Sequence, residues 1–127
     1  MHEVSLAENL IECIEQQAQK NRFERVEKIE VEVGELSCVD PGALEFALQA
    51  LAEGTVIDGA SLAIGIVTGQ LQCRACKHTY NANTVYTSCP ECHQTGSKKI
   101  GGDDAQLIAI YVASSETETT GANAVHR

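Results

Sequence analysis

Two Cys-x-x-Cys pairs, Cys73-Arg74-Ala75-Cys76 and Cys89-Pro90-Glu91-Cys92, constrain this chain more than any other feature. Each pair brings two thiolates to one point, and two such knuckles complete a tetrahedron, the ligand set of a structural zinc ion. The twelve residues between the pairs suffice for a short hairpin that turns the second knuckle toward the first. A closed four-thiolate site leaves no position for water or substrate. A zinc ion held by Cys73, Cys76, Cys89 and Cys92 would therefore hold structure together and catalyse nothing.

Two other chemistries use the same residues. Disulfides need an oxidising compartment, and Met1-His2-Glu3-Val4-Ser5-Leu6 has neither a basic n-region nor a continuous apolar h-region. The sequence thus predicts a cytoplasmic chain with reduced thiols. Cys89-Pro90-Glu91-Cys92-His93 also matches the haem-attachment pattern, but that chemistry requires export, and the upstream pair explains these cysteines without it. Cys13, on a predicted helix stripe, and Cys38, in a predicted loop, form no motif and are expected to behave as small buried hydrophobes.

Charge narrows the partners. The net charge of −9 comes from residues 1–72, which hold thirteen acids and four bases, while residues 73–127 hold five of each. Phosphate binding needs a basic face and usually aromatic platforms. Near the knuckles the bases are only Arg74, Lys77, Lys98 and Lys99, and tryptophan is absent. Four thiolates around one dication add roughly −2 more. Nucleic acid is therefore a poor partner, and no apolar run approaches the length that spans a membrane.

Periodicity supplies the frame. Leu6, Leu10, Cys13, Ile14 and Ala18 recur at helical spacing over about 5–21. Ile29, Val31 and Val33 alternate with Lys28, Glu30 and Glu32, a strand ending at Gly34. Asp40-Pro41-Gly42 opens a second helix, with Asp40 as N-cap and Pro41 at the first helical position. Leu44, Ala47, Leu48 and Leu51 form its stripe, and Gly54 ends it. Strands follow at about 61–68 and 106–112, on either side of the knuckles. The order predicts an α+β fold: a three-stranded antiparallel sheet with two helices on one face, plus an inserted zinc-ribbon module. Domain boundaries are expected at 1–69 and 103–113 for the α+β domain and 70–102 for the zinc ribbon, on short linkers near 69–72 and 101–102. Residues 114–127 are polar and patternless, and are expected to be disordered.

The first helix begins so early that the α-amine of Met1 is held near the core. That amine, the backbone nitrogen of His2 and the His2 imidazole can close fused chelate rings on one cation. Nitrogen donors in a plane suit Ni(II) or Cu(II) better than zinc. The bulky His2 should protect Met1 from removal, and the amide or carboxylate of Glu3 could add a ligand. The plainer alternative is a frayed histidine followed by an acid that suits a helix start.

Met1-His2-Glu3 at the start, Gly34-Glu35-Leu36-Ser37 after the first strand, Asp40 following it and the late pair of knuckles together resemble the HypA/HybF family of hydrogenase maturation nickel metallochaperones. The resemblance runs from Met1 to about Val112. It implies a nickel-binding domain that holds Ni(II), as transferred cargo, through Met1, His2 and Glu3, with Asp40 nearby, and a zinc ribbon closed by Cys73, Cys76, Cys89 and Cys92. For Asp40, helix capping remains an equal explanation. The resemblance also implicates His78 and His93 in how the zinc module responds to nickel or pH, against a plainer reading as solvated loop residues. The partners it implies are a companion maturation GTPase and the hydrogenase large-subunit precursor, with urease maturation proteins in some organisms. Nothing in the chain offers a nucleophile with its base, a phosphate loop or an open catalytic metal, so no enzyme is expected. The alternatives are a zinc-ribbon interaction module without a nickel role and a thiol-based redox or zinc sensor.

Overall fold

The computed structural model describes residues 3–112. Within them α1 spans Glu3–Asn21, β1 Val26–Gly34, α2 Pro41–Leu51, β2 Ser61–Val67, β3 Gln70–Gln72, β4 Thr79–Asn81, β5 Lys98–Gly101 and β6 Ala105–Val112. Two three-stranded sheets result, in the orders β2-β1-β6 and β4-β3-β5. This is the expected α+β core with a separate small sheet around the cysteines. The tail 114–127, expected to be disordered, lies outside the described residues.

The chain divides into two compact units. Among the described residues the first comprises 3–32, 40–65 and 106–112, and the second 33–39 and 66–105. In the first, α1 turns Leu6, Leu10, Ile11, Ile14 and Ala18 inward and packs against α2, whose Leu44, Ala47 and Leu48 are buried. Ile29 and Val31 of β1 are buried, while the alternating Lys28 and Glu30 are half-buried and Glu32 is exposed, so the strand has the drier and wetter faces its alternation predicts. The Asp40 cap forms as expected: its Oδ1 accepts from Gly42 N at 3.1 Å, and its backbone is extended at φ −84 and ψ 116. The end of the helix differs, with Ala52 rather than Gly54 as C-cap.

The second unit departs further from the sequence reading. The expected linkers 69–72 and 101–102 are load-carrying backbone: Gln70–Gln72 is the central strand β3, pairing Leu71 with Tyr80 of β4 and with Lys99 of β5, both antiparallel. The turn after β1 joins the same unit. Gly34 N donates to Asp104 O at 2.8 Å, Glu35 N to Val67 O at 2.9 Å and Leu36 N to Gly102 O at 2.7 Å. Gly34 and Gly102 pass backbone to backbone, so a Cβ on Gly34 would collide with the Gly102 carbonyl, and Gly102 itself sits at φ 66. Short strands of this kind carry no period, which is why they read as linkers.

Cys13 is half-buried on α1, but Cys38 is exposed, not buried as its residue type suggested. It occupies the left-handed region at φ 65, at the turn that leads to Asp40. Among the described residues no helix is long and apolar enough to cross a membrane.

Candidate metal centres

The two knuckles are built alike from the backbone up. In the first, Lys77 N donates to Cys73 O at 3.0 Å and Cys73 N to His78 O at 2.9 Å. In the second, His93 N donates to Cys89 O at 2.7 Å and Cys89 N to Gln94 O at 2.9 Å. Each loop closes only because the residue after its second cysteine turns left-handed, Lys77 at φ 68 and His93 at φ 66. Amide groups point at the sulfurs, Cys76 N lying 3.5 Å from Cys73 Sγ and Glu91 N 3.4 Å from Cys89 Sγ. Such N–H groups favour thiolate over thiol.

The four Sγ atoms converge within 4.8 Å of one another. Cys73 Sγ and Cys92 Sγ are 3.4 Å apart, Cys76 Sγ and Cys89 Sγ 3.7 Å. Metal–sulfur bonds of about 2.3 Å arranged tetrahedrally place sulfurs about 3.8 Å apart, so the donor set fits one zinc-sized ion. Cys73 and Cys89 are buried, Cys92 half-buried and Cys76 exposed, so the site has one wet edge. Behind it stand Leu36, Leu71, Tyr80 and Ala82. The Tyr80 hydroxyl donates to Thr87 O at 3.0 Å and meets Ser97 Oγ at 2.7 Å. Arg74 Nε donates to Gly96 O at 2.9 Å and ties the first knuckle to the loop after the second.

Without a cation the cluster divides its protons unequally. The Cys76 N–H, helped by neighbouring thiols and the Ala75 amide and opposed by burial, lowers the Cys73 thiol from the ordinary 9.0 to about 6. At Cys92 the Gln94 N–H pulls down, but Cys73, burial, Cys76 and Cys89 together push the thiol up to about 12. Cys76 is raised in the same way: the His78 N–H lowers it, and burial with the Cys89 and Cys73 thiols outweighs that. Four thiolates cannot all stay charged at this spacing without a dication among them.

His78 and His93 are exposed; the His78 ring stacks on Tyr80 with centroids 6.2 Å apart and planes 9° from parallel. The structure also gives the Gly34-Glu35-Leu36-Ser37 stretch a role that the sequence left without a physical reason. Glu35 Oε1 accepts from Gly69 N at 3.0 Å, Leu36 enters the core behind the cysteines, and Ser37 Oγ donates to Gly34 O at 2.7 Å. The stretch is the foundation of the cysteine unit. The only sequence hint was Gly34 ending a regular strand beside a lone buried-type residue, Leu36.

The second expected site lies at the start of α1. Met1 and His2 are outside the described residues. Glu3 is half-buried in the first turn, and its Oε2 accepts from Asp40 N at 2.8 Å. The structure thus brings together Glu3 and Asp40, thirty-seven positions apart, within the first unit.

An α+β unit whose two helix starts meet, together with a unit in which four cysteine sulfurs converge, defines the class of small metal-handling proteins. A family model described as hydrogenase/urease nickel incorporation, metallochaperone, hypA matches residues 1–112. Hydrogenase maturation factor HypA of Actinobacillus succinogenes is 34% identical over 112 residues, covering 88% of this chain and 99% of its own. The HypA of Polaromonas naphthalenivorans is 36% identical over 113 residues, covering 89% and 98%. The solution structure of the Ni metallochaperone HypA from Helicobacter pylori superposes with a TM-score of 0.64 at 26% identity, covering 91% of this chain and all of that one. A second HypA solution structure gives 0.60 at 27% identity. The chain belongs to the HypA family of hydrogenase maturation nickel metallochaperones.

Proposed function

We propose that this chain carries Ni(II) at its N-terminus and delivers it for maturation of nickel–iron hydrogenase, with zinc as a structural ion in the cysteine unit. The observation that carries this reading is the family match over residues 1–112, beside an alignment that covers 99% of the length of the A. succinogenes maturation factor. The cargo ligands are the Met1 amine, His2 and Glu3, with Asp40 beside them; the meeting of Glu3 and Asp40 supports that grouping. Zinc belongs to Cys73, Cys76, Cys89 and Cys92, whose spacing and softness suit it. When bound it supplies no reaction and cross-links the two knuckles.

Delivery requires release, so a site at a chain end, open to an incoming ligand, suits the task better than a closed cage. The chain is a carrier and not an enzyme. It works in the cytoplasm with a companion maturation GTPase and the hydrogenase large-subunit precursor, and with urease maturation proteins where an organism has urease. Donor chemistry alone would favour Cu(II) over Ni(II), so selectivity rests on supply and on partners.

The test is calorimetric Ni(II) titration of the chain with its native N-terminus beside His2→Ala and a form extended by one residue. A chelate that includes the α-amine loses nickel in both altered forms. Equal uptake by all three would leave a zinc-ribbon interaction module with no nickel role.

A further inference from the structure

The start of α2 is half of a capping box. In that motif the N-cap side chain bonds an N–H of the first turn, and a Glu or Gln at the third helical position reaches back to the N-cap N–H. Asp40 performs the first half through Gly42 N. The third helical position is Ala43, which has no acceptor to perform the second. The Asp40 N–H is satisfied from another helix: Glu3 Oε2, in the first turn of α1, accepts it at 2.8 Å.

We propose that Glu3 is a positioning residue, its carboxylate completing the α2 cap from α1 and so fixing the start of α1 beside Asp40. This deepens the nickel reading and rests on it. Where that reading counts Glu3 among the cargo ligands, its share is then the backbone amide, and its side chain acts through a hydrogen bond to protein rather than through a bond to metal. The two roles make opposite demands on chemistry. A hydrogen-bond acceptor at this position can be a carboxylate or a carboxamide oxygen, so glutamine serves. An ionised oxygen ligand to a dication cannot be replaced by a neutral amide without loss of affinity.

Wild type, Glu3→Gln and Glu3→Ala are compared as full chains by amide hydrogen exchange at Asp40 without nickel, by Ni(II) calorimetry, and by the d–d absorption spectrum of the loaded protein. Glu3→Ala is expected to speed Asp40 exchange about fivefold, the factor for a capping bond of about 1 kcal/mol, and to weaken nickel by a similar factor with the spectrum unchanged. Glu3→Gln is expected to match wild type in all three. Equal nickel loss in both variants with a shifted spectrum would make the carboxylate a ligand and overturn the proposal, as would unchanged Asp40 exchange in Glu3→Ala. A wild type that takes up no nickel would defeat the carrier reading. The exchange measurement would then still report whether the cap exists, so the two failures are distinct.

Discussion

The two units of this chain reach order by different physics. The first closes on Ile14, Val26, Ile29, Leu44, Leu48, Ile57 and Ile110, all nearly or wholly removed from water. The second gathers a smaller cluster of Leu36, Leu71, Cys73, Tyr80, Ala82 and Cys89, and two of those belong to the converging set of four sulfurs. Apolar burial at about 25 cal/mol per Å² stabilises the first without help, while a core as small as the second does not offset the backbone entropy of the forty-seven residues in 33–39 and 66–105. A cation at the four converging sulfurs would supply what burial lacks.

The largest test of that contrast is metal removal. Binding free energy in such sites is folding free energy, about 10–16 kcal/mol for structural zinc. A strong chelator, or Cys73→Ser, is expected to collapse the amide resonances of Leu71, Tyr80 and Ala82 and leave those of Ile14, Leu44 and Leu48 dispersed. Retained order in 66–105 without metal would erase the distinction.

Protonation sharpens it. Near neutral pH the metal-free cluster has Cys73, lowered to about 6, as thiolate, and Cys92, raised to about 12, as thiol; Cys76, also raised, is a thiol too. Metal uptake therefore expels protons from Cys76 and Cys92, and affinity falls as pH falls, about tenfold per pH unit for each proton expelled. Once pH drops below about 6, Cys73 also takes up a proton and the slope steepens by one. Competition with a chelator across that range reads the slope, and a constant slope through pH 6 would contradict the assignment to Cys73.

The converse probe is Leu48→Ala, at a side chain with no exposure. Truncating a fully buried leucine costs about 2–5 kcal/mol. The loss is expected in the thermal midpoint of the first unit, with metal content unchanged. Loss of metal on this substitution would mean that the units do not fold separately.

How much of this was legible differs between the units for the same reason. The first is made of long periodic segments, so Leu6 to Ala18, Ile29 to Val33 and the Asp40-Pro41 helix start announce themselves locally. The second is made of contacts between distant short pieces. A three-residue strand such as Gln70-Leu71-Gln72 has no measurable period, and its pairing with residues 79–81 and 98–101 is decided by tertiary context. Its four converging cysteines were nonetheless plain, because the spacing within each knuckle is covalent geometry. The same asymmetry holds at the helix starts: Asp40 as cap was legible from its neighbours, whereas Glu3 as its partner was not, since Ala43 merely withholds an acceptor.

The smallest effect compares the units at matched backbone. Arg22 at φ 62, just past the end of α1, and Lys77 and His93 at φ 68 and φ 66 in the knuckles all sit where a side chain is strained and glycine is not. Glycine relieves the strain but costs unfolded-state entropy, so each substitution is expected to stabilise its unit by about 0.5–1 kcal/mol. Arg22→Gly should raise the thermal midpoint of the first unit and leave metal affinity unchanged. Lys77→Gly should act mainly on metal retention, because the conformation it favours also aims the Cys73 and Cys76 sulfurs. Stabilisation of the knuckle without tighter metal binding would show that the loops are shaped before the cation arrives, and that the second unit owes less to its metal than its small core suggests.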